Sequence, residues 1–234
     1  QKRDPNNRLD DFLPTDGEDT RARVAYAEKV GDVADGTRTI EMTRLEYSSY
    51  GTHVFAGNFS PSAAFGGLAL TAHETYPDRS CNAFVAARDD DMEWIWAMRL
   101  VGTNGITIWD VTVFGDYVYV VGSYSGRLYY QGVELSTAYW SSANSFCLRL
   151  RATAGLRLQS LVKRYCMFEG VAANDHGLYL CGNYYTQALA IGTWTARSPE
   201  ETGDVSGDID IFVCRLRPEL DVCDWGNSGG GGKT

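Results

Sequence analysis

Three histidines, six cysteines and a scatter of clustered carboxylates are the side chains here with the means to do chemistry. His73 beside Glu74, and Asp110 with His176, are the pairs from which a general base could be drawn. His73 sits between Thr71 and Thr75, where an exposed histidine is ordinary. No serine stands in a nucleophile elbow, and no cysteine has a histidine at a recognisable position. Asp89, Asp90, Asp91 and Glu93 could supply the carboxylate pair of a glycosidase, or they form a solvated hairpin tip. These patterns lead to the expectation of a protein that is not an enzyme, with a hydrolase as the lesser reading.

Asp208 and Asp210 alternate, with Asp204 shortly before them, and offer the hard oxygens that Ca2+ takes. The closing glutamate of a calcium loop is missing, so Ca2+ stays a candidate ligand. Cys81, Cys147, Cys166, Cys181, Cys214 and Cys223 form no C-x-x-C pair and share no metal-ligand spacing with His53, His73 or His176. They read as disulfide cysteines of an extracellular or cell-surface protein, or as small apolar fillers of strands. A Cys166–Cys181 bond would staple the second repeat described below to the third. Asn58-Phe-Ser60 is an acceptor sequon, which makes a glycoprotein the expectation if the chain is secreted. The terminal Gly-Gly-Lys-Thr echoes a phosphate loop but lacks its strand and helix, so it reads as linker.

Fourteen Tyr and 25 Gly favour short strands and tight turns over long helices. A formal charge of −9 excludes a general nucleic-acid binder, because nothing would displace counterions along a phosphate backbone. Apolar runs such as Ala63 to Leu70 are too short to span a membrane.

The elements that must position these side chains come as a repeat. Gly51-Thr-His-Val-Phe-Ala-Gly57-Asn-Phe, Asp116-Tyr-Val-Tyr-Val-Val-Gly122-Ser-Tyr and His176-Gly-Leu-Tyr-Leu-Cys-Gly182-Asn-Tyr share one form. Each is an apolar strand closed by Gly, a short polar residue and an aromatic. A second glycine follows ten residues on, at Gly67, Gly132 and Gly192. Then Asn82-Ala-Phe84, Asn144-Ser-Phe146 and Asp210-Ile-Phe212 place a turn-fixing polar residue two positions before a core Phe. The unit recurs every 60 to 66 residues, with a loop of variable length before each Phe. Phe59, Tyr124 and Tyr184 recur once per unit, either lining a carbohydrate-binding rim or packing in the core.

The middle copy reads as four strands, 106–113, 117–123, 145–151 and 156–164. In the first copy the fourth strand is expected to put Met92, Trp94, Trp96 and Met98 on one face. Phe65-Gly66-Gly67, the run Tyr117 to Tyr124 and Asp210-Ile-Phe-Val-Cys-Arg-Leu216 resemble the bacterial-type β-propeller repeat family over about residues 38–225. Tyr130-Gln131-Gly132 and Ile191-Gly192 depart from the double-glycine turn of that family. The resemblance implies an all-β fold of β-propeller blades, each of four antiparallel strands, at about 38–100, 106–165 and 168–226. A single extra strand at Ala25 to Val30 would precede them. It implies nothing about activity, since propellers host unrelated functions.

Three blades and a strand fall short of the four to eight that close a propeller. End blades left alone would expose apolar faces, so an incomplete propeller completed by other segments or partners is expected. The start at Gln1 and the Gly-rich end fit a fragment or processed product. Residues 1–22 read as an irregular charged arm, 23–226 as the repeat domain and 227–234 as a flexible tail. The functional expectation is a structural or protein-interaction module whose partners are proteins or further blades of one precursor. The alternative is a lectin-like or adhesive propeller that binds glycans. The insertions 70–80, 136–142 and 195–208 are the expected contact regions.

Overall fold

A computed structural model describes residues 39–47, 51–137, 144–197 and 209–230. The expected arm 1–22, the strand at 25–30 and the last four residues lie outside them. The fold is all-β, built from several antiparallel sheets.

One topology occurs three times. The first unit is β1 (Thr39–Tyr47), β2 (His53–Ser60), β5 (Asn82–Arg88) and β6 (Trp94–Gly102), side by side in that order. The second is β7 (Gly105–Phe114), β8 (Tyr117–Ser125), β11 (Asn144–Arg151) and β12 (Arg157–Arg164). The third is β13 (Cys166–Asn174), β14 (Gly177–Tyr184), β17 (Asp210–Leu216) and β18 (Cys223–Gly230). Residues 227–230, expected in a flexible tail, are instead the end of β18, where Asn227 to Gly230 pair with Val213 to Asp210.

Each unit also carries a hairpin around the second glycine, where a turn was expected but not the paired strands that flank it. These are β3 (Ser62–Phe65) with β4 (Leu68–Thr71), β9 (Arg127–Tyr130) with β10 (Val133–Thr137), and β15 (Ala188–Ile191) with β16 (Trp194–Arg197). The strands are short, and alternate side chains turn inward, as Leu189 and Ile191 do in β15. The middle hairpin is annexed by the first unit, because β9 hydrogen-bonds to β6 with Leu100 opposite Tyr130. The hairpin turns correct the ten-residue register. Gly66, Gln131 and Gly192 take the first, left-handed turn position at φ 58°, 48° and 57°. Gly192 therefore matches Gly66 rather than Gly67, and the third unit holds one more residue before its hairpin.

The register inside the units repeats closely. Gly57, Gly122 and Gly182 pair with Phe84, Phe146 and Phe212 on one side. On the other side each sits where the first strand bulges, between Met42 and Arg44, Ile108 and Asp110, or Phe168 and Gly170. The bulge tips a carbonyl onto the glycine. A Cβ there would lie 1.9 Å from the Glu41 oxygen, 2.3 Å from that of Thr107 and 1.9 Å from that of Met167. A second bulge recurs in the fourth strand, at Ile95, Leu158 and Asp224. An extra residue reverses side-chain direction, which overturns the expected faces of the first unit. Trp94 packs against Phe55 and Phe65, Trp96 and Met98 enter a different core, and Met92 stays in the turn at φ 65°.

The cores lie between units. One joins Val54, Ala56, Val85, Trp96 and Met98 of the first sheet to Ile106, Ile108, Phe146 and Leu148 of the second. Another joins Tyr119, Val121 and Cys147 to Phe168, Val171, Leu180 and Phe212 of the third. A smaller one closes Phe55, Phe59 and Phe84 under the first hairpin. Polar bonds cross the same joints. Asn58 Nδ2 donates to the Ile106 carbonyl at 3.2 Å and Trp96 Nε1 to that of Ala152 at 2.6 Å. Ser145 Oγ donates to the Cys166 carbonyl at 2.7 Å while accepting from the Phe168 amide at 2.8 Å.

Candidate functional site

Two of the side chains that could do chemistry, His73 and Asp110, are engaged in holding the repeats. His73 follows β4, and its amide donates to Asn82 Oδ1 at 2.9 Å. Its Nδ1 accepts from the Thr75 amide at 3.2 Å. Asn82 Nδ2 donates to the carbonyls of Tyr76 and Asp78, so the insertion 70–80 is tied to the start of β5. Asp110 lies within β7 at the bulge rather than near a turn. Its Oδ2 accepts from the Val171 amide at 3.0 Å, its Oδ1 from the Val111 amide at 3.0 Å, and Arg44 Nε stands 3.7 Å away. That carboxylate links the first strands of all three units. The structure does not bring His176 to it, since His176 is exposed in the turn after β13, with its amide on Asn174 Oδ1. Asp89 to Asp91 and Glu93 share the β5–β6 turn, where Asp89 Oδ1 caps the Glu93 amide and Asp90 packs over Gly51.

All six cysteines are free thiols. This corrects the disulfide expectation for Cys81, Cys147, Cys166, Cys181, Cys214 and Cys223, and removes the argument for an oxidising compartment. The proposed staple fails on direction: Cys166 enters the core between the second and third sheets, while Cys181 is exposed on the opposite face of its sheet. Burial drives the Cys166 thiol up to about 12 and raises Cys147 and Cys214 as well, so these sulfurs stay protonated and unreactive.

The sequon is occupied by structure too. Asn58 Nδ2 donates to the carbonyls of Arg79, Asn82 and Ile106 at 3.1 to 3.3 Å, leaving no free amide for a glycan in the folded chain. Beside it lies a polar cleft of about 280 Å3 between the first and second units, bordered by the Arg79–Glu41 ion pair at 3.0 Å, Thr107 and Ser123. Phe59, Tyr124 and Tyr184 are buried beside Phe84, Phe146 and Phe212, with ring centroids 6.4 to 6.5 Å apart. They line no rim. Asp210 is buried at the start of β17. Asp204 and Asp208 lie outside the described residues, as do 138–143 and 198–208 of the expected contact insertions. Among the described residues no cluster of three or more His, Cys, Asp or Glu could hold a metal, and no helix is long and apolar enough to cross a membrane.

The feature with the most to offer a partner is the outer face of the third unit. β5 is buried at every position, and β11 at all but its last. β17 alternates: Asp210, Phe212, Cys214 and Leu216 are buried, while Ile211 is 61% and Val213 40% exposed. Register makes Ile211 and Val213 the counterparts of Ala83 and Val85, and of Ser145 and Cys147. Trp225 and Cys181 extend the exposed patch. A shallow groove of about 500 Å3 runs over Glu169, Cys181, Asn183, Ile211, Val213 and Asn227. Sequence reasoning foresaw apolar end faces but not which residues, because the bulges decide the facing.

These features define an all-β protein of repeated four-stranded antiparallel sheets. Compared with the models of known protein families and with curated proteins, the chain matches none.

Proposed function

We propose that the chain is an arc of three propeller-type blades serving as a structural and protein-interaction module within a larger assembly, without chemistry of its own. One observation carries this reading: the face that a following sheet covers in the first and second units is apolar and uncovered in the third. One four-stranded sheet cannot bury both faces, and repeats of this kind solve the problem by stacking. Two large β-branched residues, Ile211 and Val213, on a solvated face cost solubility and gain nothing unless something packs on them. The engaged states of His73 and Asp110 favour a scaffold over a catalyst.

The mass of the native material tests this. Particles heavier than 25.8 kDa, in which Ile211 and Val213 are shielded from carbene labelling, are the expected result. A native 25.8 kDa monomer that labels freely at both residues would overturn it.

A further inference from the structure

Both halves of a missing joint are present at opposite ends of this one chain. In each internal joint the first strand of a unit presses apolar side chains onto the preceding sheet. From β7 these are Ile106, Ile108 and Val111, and from β13 they are Cys166, Phe168 and Val171; all six are buried. Pairing to Phe59, Gly57 and Phe55 makes Ile40, Met42 and Leu45 of β1 their counterparts. Met42 is 49% and Leu45 59% exposed. β1 thus carries the inserting half, and among the described residues no preceding sheet lies beneath it. The receiving half, Cys181, Ile211, Val213 and Trp225, stands open on the third unit.

The backbone shows the same complementarity. At the first joint β6 spends its outer edge on β9 of the following unit, whereas at the second β12 and β15 stay unpaired with each other. The equivalent edge of β18 and that of β3 are both at the border of their sheets among the described residues. Ser62 to Phe65 of one molecule can therefore do for β18 of another what β9 does for β6.

We infer that two copies of this chain associate head to tail, β1 and β3 of each docking on β17 and β18 of the other. This rests on the three-blade reading above. The contact is heterologous, so it must close by rotation or run on as a fibre. Closed propellers hold four to eight blades. The only multiple of three in that range is six, which two copies supply. Two equal joints then cover both β1 and the open face of the third unit.

Light scattering on the full chain, alone, should give twice 25.8 kDa. Leu45→Asp and Ile211→Asp, both at exposed positions, should each yield monomers with unchanged circular dichroism. Mixed, the two variants should recover a 1:1 dimer, since one joint then pairs two unaltered halves; its dissociation constant should exceed the parent's by about tenfold or more. A dimer lost with Ile211→Asp but kept with Leu45→Asp would mean that two third units meet face to face, and would overturn the head-to-tail arrangement. Should a variant misfold, hydrogen exchange on the unaltered chain still decides. On dilution β3 and β18 should lose protection together while β8 keeps its own. A monomeric parent chain at ~100 µM, far above the ~1 µM expected of a standard-sized joint, would overturn the two-copy closure. If the native particle then contains a different polypeptide over Ile211, the interaction-module reading stands and only the second copy is wrong.

Discussion

β11 and β17 are the same strand in two situations. Each begins with a buried polar residue, Asn144 or Asp210, sets a Phe against a glycine two positions later, and runs antiparallel to both neighbours. β11 has a sheet on either side and buries Ser145, Cys147 and, largely, Arg149. β17 has one on a single side and shows Ile211 and Val213 to solvent. The covered strand has the more polar outer face and the uncovered strand the more apolar one. Solvent would select the reverse. Burial here is set by the next unit along, and the residue types on β17 suit a neighbour that the described residues do not provide at that end.

That comparison assumes that the third unit is built like the second, and a matched pair of glycines tests the assumption hardest. Gly122→Ala puts a methyl 2.3 Å from the Thr107 oxygen and 2.5 Å from the Phe146 ring; Gly182→Ala puts one 1.9 Å from the Met167 oxygen. Both should lose about 3 kcal/mol or more in denaturant unfolding, at the upper end of single substitutions. Gly67→Ala, with nothing within 4 Å, should change stability by less than about 0.5 kcal/mol. A mild Gly182→Ala beside a severe Gly122→Ala would break the equivalence.

A smaller contrast reads the covering directly. Val85 and Val213 hold the same place, one wholly buried and one open. Val85→Ala should cost about 2 kcal/mol, the loss of two buried methyl groups with some cavity. Val213→Ala should cost under about 0.5 kcal/mol in the dissociated chain and approach the Val85 value in the assembled particle, as urea titrations at low and high protein concentration would show. Next comes Ser145, which bridges two units where the first unit has Ala83. Ser145→Ala leaves the Phe168 amide and the Cys166 carbonyl short of a partner and should cost about 1–2 kcal/mol. No loss at all would mean that the second joint does not depend on this bond.

The sequence made the period, the glycines and the Phe positions legible because each answers to a local constraint: a carbonyl that only glycine admits, a ring that needs a core. The middle unit's strands fall within a residue or two of expectation at 105–114, 117–125, 144–151 and 157–164. What stayed hidden is what depends on counting across strands. The bulge at Ile95 turns Trp94 away from Trp96, and the extra residue before β15 moves Gly192 one place in its turn. Neither leaves a composition signal, since any residue type can occupy an unpaired position. The cysteines misled for a related reason. Pairing depends on which face each thiol takes, and Cys166 and Cys181 take opposite ones.

The open end at β1 offers the finest version of the comparison. Register equates Glu46 with Thr112 and Ala172, so an acid stands where the covered units have an uncharged residue. Partial burial raises the Glu46 carboxyl above the usual range, and the nearby Asp110 carboxylate raises it further. A raised acid binds its proton more tightly folded than unfolded, so it opposes folding once ionised in both states; stability contributed by the proton grows as pH falls through the folded-state titration. Glu46→Gln should therefore raise the melting temperature slightly at pH 7, and the gain should shrink to nothing toward pH 4. Glu46 pairs with Val54, so it faces the second unit, whereas its neighbour Leu45 enters the joint proposed for two copies. The Glu46→Gln gain should therefore be the same in the parent chain and in the Leu45→Asp monomer. A larger gain in the parent would mean that the joint reaches across β1 to its other face.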